Sequence, residues 1–477
     1  MQALKTTTLK DKKEIEKNIA LKKFRRKLVS KDKKKKKRQL LYKFYLNTRQ
    51  SLEGDTSLEN VIDKWMPTNL AYLLSREQSD FHLSKIVQGI PQNNGVFLVP
   101  KNFSLIDYPE DSFRFIQNVL GALLTQKYSE YKIDYSQCTR LDIGAQVFFD
   151  ILMKDILKFF NRCRRYKKTF PRVTNIQGTG SKDINVDKLL YSVGSPVIHS
   201  NKSRKYHDIV PYELCIHDRE VNGDPVKIRE QKDLDTTKLV DYVLECLKRL
   251  GRTLTTDKLD DLSTVIGEII INAEEHSTTK HRFSIGYFHE ITEEGKHYGV
   301  FRLAILNFGK TIYEKFKDPN CPNKEVVSKM KSLSDQYTKR KYFVYKAFEE
   351  ESLWTLYALQ DGVTSIAPER YKKRGNGSIQ FIESFFNIKG NKKDDDDFSI
   401  MAILSGNTKI LFDGTYNISK GLVINEPYKF MTFNESGKIE DKPDSKFVKY
   451  VDNYFPGTII SAKIMFNEDD LTDEIWN

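Results

Sequence analysis

Glu268, Asn272 and His276 stand four residues apart in the segment Gly267-Glu268-Ile269-Ile270-Ile271-Asn272-Ala273-Glu274-Glu275-His276. On a helix, residues four apart lie one turn apart and side by side. A carboxylate and an amide so placed can serve one phosphate group, one holding a metal while the other addresses a water. The helix itself is set by Leu259, Leu262, Ile266, Ile269 and Ala273, an apolar stripe at three- and four-residue spacing that leaves the polar set on another face. Any polar helix face can supply an ExxxN spacing, so its weight comes from the ordered parts that follow.

The first of these is a hairpin. His281 to Ile291 alternates as a strand, Glu293-Glu294-Gly295-Lys296 turns, and Tyr298 to Leu306 returns. The return strand runs into Asn307-Phe308-Gly309-Lys310-Thr311-Ile312. Residues 313–370 then read as a mostly helical insertion, aromatic-rich from Lys329 to Leu359. Within it Tyr337, Lys339, Arg340 and Lys341 can face phosphates or form the polar side of a helical hairpin. Next, Lys372-Lys373-Arg374-Gly375-Asn376-Gly377-Ser378 leads directly into Ile379 to Phe386, which has helical spacing. A glycine turn opening a helix presents unpaired backbone N–H groups and a positive dipole end, a setting suited to phosphate. Phe398 to Ser405 and Lys409 to Phe412 read as paired strands, and Phe455-Pro456-Gly457-Thr458 enters a last strand ending at Phe466.

In this order the segments resemble the ATP-binding domain of the gyrase, heat-shock chaperone, histidine-kinase and MutL (GHKL) group, over about residues 236–477. The segment 267–276 looks like the family's ExxxNAxxH box. The resemblance implies that Asn272 coordinates Mg²⁺, that Glu268 orients or deprotonates the attacking water, and that His276 lies near the phosphates or supports the helix. Asn307, Gly309 and Lys310 fall where the family has its adenine-reading DxGxG box. Asn307 replaces the Asp that accepts from the adenine amino group, and Thr311 replaces the second Gly. An Asn side-chain oxygen still accepts, without the charge-assisted component. Gly375, Asn376, Gly377 and Ser378 match the second glycine box, residues about 313–374 match the ATP lid, and Thr458 resembles the threonine beside the adenine-reading carboxylate.

The N-terminal half is read from pattern alone. Val96 to Pro100 is a strand, Ser112 to Thr125 a helix, Tyr131 to Tyr135 a strand, and Leu141 to Phe160 a long helix. The strand, the turn Ser136-Gln137-Cys138-Thr139 and the helix led by Asp142 resemble the STAS-like fold of anti-sigma-factor antagonists, in which a Ser or Thr near the helix start is phosphorylated. An ordinary α/β packing module is the other reading. The expected fold class is therefore α/β. A basic arm (1–50, partly helical or disordered) precedes an α/β STAS-like domain (51–200). A linker (201–235) then leads to a two-layer α/β sandwich of the Bergerat type (236–477).

Charge is distributed unevenly. Residues 1–40 hold 17 Lys and Arg against 4 Asp and Glu, which is the whole of the net +13. The arm, with its run Lys33 to Arg38, suits nucleic acid phosphates, anionic lipid or plain solvation. The run Asp394-Asp395-Asp396-Asp397 reads as a solvated loop. Five scattered cysteines, Cys138, Cys163, Cys215, Cys246 and Cys321, form no CxxC pair, which argues against a zinc site or a disulfide framework. No apolar run is long enough to cross a membrane and no apolar signal core follows the N-terminus, so a cytoplasmic protein is expected.

These readings lead to a protein that binds ATP and Mg²⁺. It would be a slow ATPase acting as a nucleotide-dependent switch, with a protein partner or a second copy to read the switch, in a setting that fits bacterial regulation or defence. A partner-switching Ser/Thr kinase, with Ser136 or Thr139 as acceptors, and a non-catalytic nucleic-acid-associated scaffold are the alternatives. No phosphoacceptor helix pair stands at 200–250, and no transducer domain is seen after the last strand.

Overall fold

The computed structural model describes residues 66–88, 90–125, 127–166, 175–195, 206–218, 225–279, 281–293, 296–338, 348–365, 377–388, 399–423, 426–466 and 471–473. The basic arm and the Asp394–Asp397 run lie outside the described residues.

The N-terminal elements are α1 (Thr68–Ser75), α2 (Leu83–Ile86), β1 (Val96–Leu98), β2 (Asn102–Phe103), α3 (Pro109–Leu124), β3 (Glu130–Asp134), β4 (Arg140–Leu141), α4 (Ile143–Tyr166), β5 (Asn175–Thr179) and α5 (Ile184–Ser192). β1, β3 and β5 form a parallel sheet in that order. Parallel neighbours need crossovers, and α3 and α4 supply them. α3 opens on Pro109, with Glu110 and Asp111 in its first turn, where proline costs no hydrogen bond and acids meet the positive dipole end. α5 is capped by Asp183, which accepts from the N–H groups of Asn185 and Val186.

The remaining elements begin with β6 (Ile209–Asp218), α6 (Pro225–Lys248), β7 (Arg252–Leu254), α7 (Thr256–His276), β8 (His281–Glu293) and β9 (Lys296–Phe308). They continue with α8 (Ile312–Lys317), α9 (Lys324–Thr338), α10 (Glu350–Ala358), α11 (Gly377–Ile388), β10 (Ile400–Phe412), β11 (Ser419–Val423), β12 (Glu426–Phe430), β13 (Val448–Phe466) and β14 (Leu471–Asp473). Five strands make an antiparallel sheet in the order β10-β13-β9-β8-β6.

Three sequence readings change here. The stretch 201–235, read as a linker, contains the edge strand β6 and the start of α6. Phe398–Ser405 and Lys409–Phe412 do not pair with each other. From Ile400 onward they are one strand, β10, bulged against β13 at Gly406, whose φ of +60° suits glycine. The expected lid does carry helices α8, α9 and α10, but α10 buries Leu353, Trp354, Leu356 and Tyr357 and packs on β10. Trp354 donates to Ser334 Oγ of α9 at 3.0 Å. So large an apolar payload holds α10 in the core.

Both faces of the large sheet are covered. Phe301, Leu303 and Ile305 of β9 join one core with α6, α7, α10 and α11; Ala304, Leu306 and Phe308 join another with the N-terminal module. Alternation along the strand produces this division. α4 lies across β9 and β13, where Gly144 is in contact with Ile459 and Asp142 with Ser461. Lys409 Nζ donates to Ile106 O at 3.0 Å, and Tyr454 N to Asp80 Oδ2 at 2.8 Å. The order of layers is therefore small sheet, helices, large sheet, helices. Among the described residues no helix is long and apolar enough to cross a membrane, and no group of three or more His, Cys, Asp or Glu could hold a metal ion.

Candidate functional site

The apolar stripe read from the sequence is buried as expected at Leu262, Ile266, Ile269 and Ala273, and it seats α7 on the large sheet beside α11. This packing brings Glu268 to the first residue of α11. A Cβ added to Gly377 would lie 2.1 Å from Glu268 Oε2, so the carboxylate rests against the first residue of α11 at a distance only glycine permits. Ser378 follows in the same first turn. An acid over a helix N-terminus is also stabilised by the dipole, so the contact has a structural use as well as a chemical one. Asn272 and His276 lie on the same helix, but their side chains are outside what the structure describes. Gly375 and Asn376 also lie outside the described residues.

The second cluster is a polar row crossing four strands. Arg282 of β8 pairs with Asn307 of β9, Asn307 with Thr458 of β13, and Thr458 with Ser405 of β10. All four are buried, at 2%, 0%, 7% and 0% exposure, on the helix-facing side that further along holds Ile305, Ile460 and Ile403. The next paired row inward reads Ser284, Ile305, Ile460 and Ile403, so the polarity is concentrated at this end. Thr458 N donates to Asn307 Oδ1 at 3.2 Å, and the hydroxyls of Ser405 and Thr458 share a hydrogen bond of 2.9 Å. Ser405 Oγ also meets Gly457 O at 3.2 Å and accepts from Ile312 N at 3.0 Å. Arg282 Nη2 donates to Asp235 Oδ2 of α6 at 2.6 Å. Asn307 Nδ2 and Arg282 Nε are buried without an acceptor among the described residues. Gly457 lets the strands close: a Cβ there would sit 2.0 Å from Asn307 O.

The row leads directly into the loop 309–311. Gly309 N donates to Pro456 O at 3.2 Å and Lys310 N to Thr278 Oγ1 at 3.0 Å. The Lys310 ammonium pairs with Asp318 at 2.5 Å and holds that carboxyl below its ordinary range. Thr311 caps α8 in a reciprocal capping box with Glu314. The Thr-x-x-Glu spacing was visible in the sequence. Tyr337 reaches Glu440 O at 2.8 Å, and Lys339, Arg340 and Lys341 lie outside the described residues.

Sequence reasoning missed the contact between α8 and the N-terminal module. Glu314 Oε1 accepts from Arg76, which follows α1, and from Tyr454 Oη at 2.8 Å; Arg76 also reaches Tyr72. Burial lifts both phenols above their usual range. No local signal could have joined residues so far apart in the chain. Arg282, Asp235 and Ser405 were missed for the same reason, since only the strand register places them beside Asn307.

No family model, curated protein or solved structure matches this chain.

Proposed function

We propose that the C-terminal part of the chain is a Bergerat-type site for a nucleoside triphosphate and Mg²⁺, ATP being the ligand the resemblance implies, and that it works as a slow triphosphatase switch. One observation carries this reading. α7 holds the Glu268 carboxylate against Gly377, and it packs on the same face of the sheet that carries the paired Asn307 and Thr458. The helix carrying Glu268, the first turn of α11 and the polar strand ends lie on one side of the sheet, which supports the reading.

In this reading the first turn of α11, Gly377 and Ser378, offers backbone N–H groups to the phosphates. Asn272 would hold Mg²⁺, which would neutralise phosphate charge. Glu268 orients the attacking water and accepts its proton. The base sits over Asn307 and Thr458. α8 follows directly on the loop 309–311, and Arg76 on Glu314 ties it to the N-terminal module, giving a bound nucleotide a route to the rest of the chain. The test is Glu268→Ala: hydrolysis should fall by about 10²–10⁴-fold, the range of a lost general base, while nucleotide binding is retained. Wild-type turnover in that variant would refute the assignment.

The kinase reading meets a geometric obstacle within one chain. Ser136 and Thr139 precede α4, which packs on the face of the sheet opposite α7. Phosphorylation of either would have to occur between two molecules.

A further inference from the structure

We propose that the base pocket selects a 6-oxo purine, guanine or hypoxanthine, over adenine. This rests on the nucleotide reading above and changes the base that reading expects.

The orientation of the Asn307 amide follows from chemistry. Thr458 N–H is a donor, so the atom facing it at 3.2 Å must be the amide oxygen. The amide NH₂ therefore takes the other position, where it is buried and has no acceptor among the described residues. The nearby Ser405 hydroxyl is filled: it donates to Gly457 O and accepts from Ile312 N and the Thr458 hydroxyl. The Thr458 oxygen is not in hydrogen-bond geometry with the amide NH₂. At the paired register position Arg282 commits Nη2 to Asp235, and its Nε is buried without an acceptor among the described residues. Two paired positions at the end of an otherwise apolar sheet face thus each carry an unmet donor.

Leaving a buried donor unpaired is costly, and a ligand that brings acceptors relieves the cost. Adenine offers an amino donor at C6, whereas a 6-oxo purine offers O6 and N7 as acceptors along one edge. A donor at position 307 therefore matches O6 and opposes the adenine amino group. A carboxylate at this position would accept from Thr458 N–H through one oxygen and from an amino group through the other, so the exchange of Asn for Asp inverts the preference.

The test is equilibrium binding of the full chain to GTP, ITP, ATP and inorganic tripolyphosphate, each with Mg²⁺. GTP and ITP should bind about tenfold or more tightly than ATP, the factor expected when one buried donor gains or loses its acceptor. Asn307→Asp, which keeps the Thr458 bond, should turn the order toward ATP by a similar factor. Wild-type protein that binds ATP as tightly as GTP and ITP overturns the base assignment and leaves the nucleotide site standing. ITP as weak as ATP beside tight GTP also overturns it, because the 2-amino group would then be the feature read. Binding of tripolyphosphate alone, or of nothing, removes the base site and this inference together.

Discussion

Asp150 and Asn307 are polar side chains buried at the bottom of two different cores, and they meet the cost of burial differently. In the N-terminal module Asp150 Oδ1 accepts from Gln146 Nε2 and from Ser195 Oγ, each at 3.0 Å, and Gln146 in turn accepts from Tyr135 Oη at 2.8 Å. Its second oxygen has no partner among the described residues. Burial pushes this carboxyl up to about 7, so over most of the acid range it carries a proton and the charge is avoided. Asn307 has no such recourse. An amide N–H cannot be titrated away near neutrality, so its donor stays unmet among the described residues. A polar group that can adjust its own charge is compatible with a closed core. One that cannot keeps the cost of its unmet donor in the folded state.

The largest effect that would sharpen this contrast is in the pH dependence of folding. Folded Asp150 holds its proton to about pH 7, while the unfolded chain releases it near the ordinary value of 3.8. Between those values the folded state binds more protons. Stability conferred at this site is therefore greatest on the acid side and falls as pH rises toward 7, by at most about 4 kcal/mol at 1.36 kcal/mol per unit. Asp150→Asn, which mimics the protonated acid, should flatten the slope in denaturation measured from pH 4 to 8. An unchanged slope would break the comparison on the side of the closed core. A smaller effect tests the other side. Thr458→Val removes the hydroxyl bond to Ser405 but keeps the N–H that orients Asn307. It should cost about 1 kcal/mol of stability and leave the order of nucleotide affinities as in wild type. A changed order would mean that the hydroxyl takes part in reading the base.

Much of the site was legible from local pattern. The stripe from Leu262 to Ala273 gave α7, and the alternation from His281 to Leu306 gave the β8–β9 hairpin that delivers Asn307. Other features depended on distant partners. β6 was hidden in a polar stretch interrupted by Pro211, a residue tolerated at an edge strand, and only its pairing with β8 makes it part of the sheet. Gly406-Asn407 looks like a turn between two strands, yet β13 continues past it and makes it a bulge. The module stacked on the far face was foreshadowed only by the nearly unbroken apolar run from Val300 to Leu306, the mark of a strand covered on both sides. The row from Arg282 to Ser405 exists only through register across four strands, which no single segment encodes.

If the carboxylate of α7, the first turn of α11 and the polar strand ends make one nucleotide site, titration calorimetry of the full chain with ATP, GTP and ADP, each with and without Mg²⁺, will show it. One saturable site per chain is expected for a triphosphate, weakened when Mg²⁺ is chelated. No saturable heat with any triphosphate, with or without Mg²⁺, would contradict it.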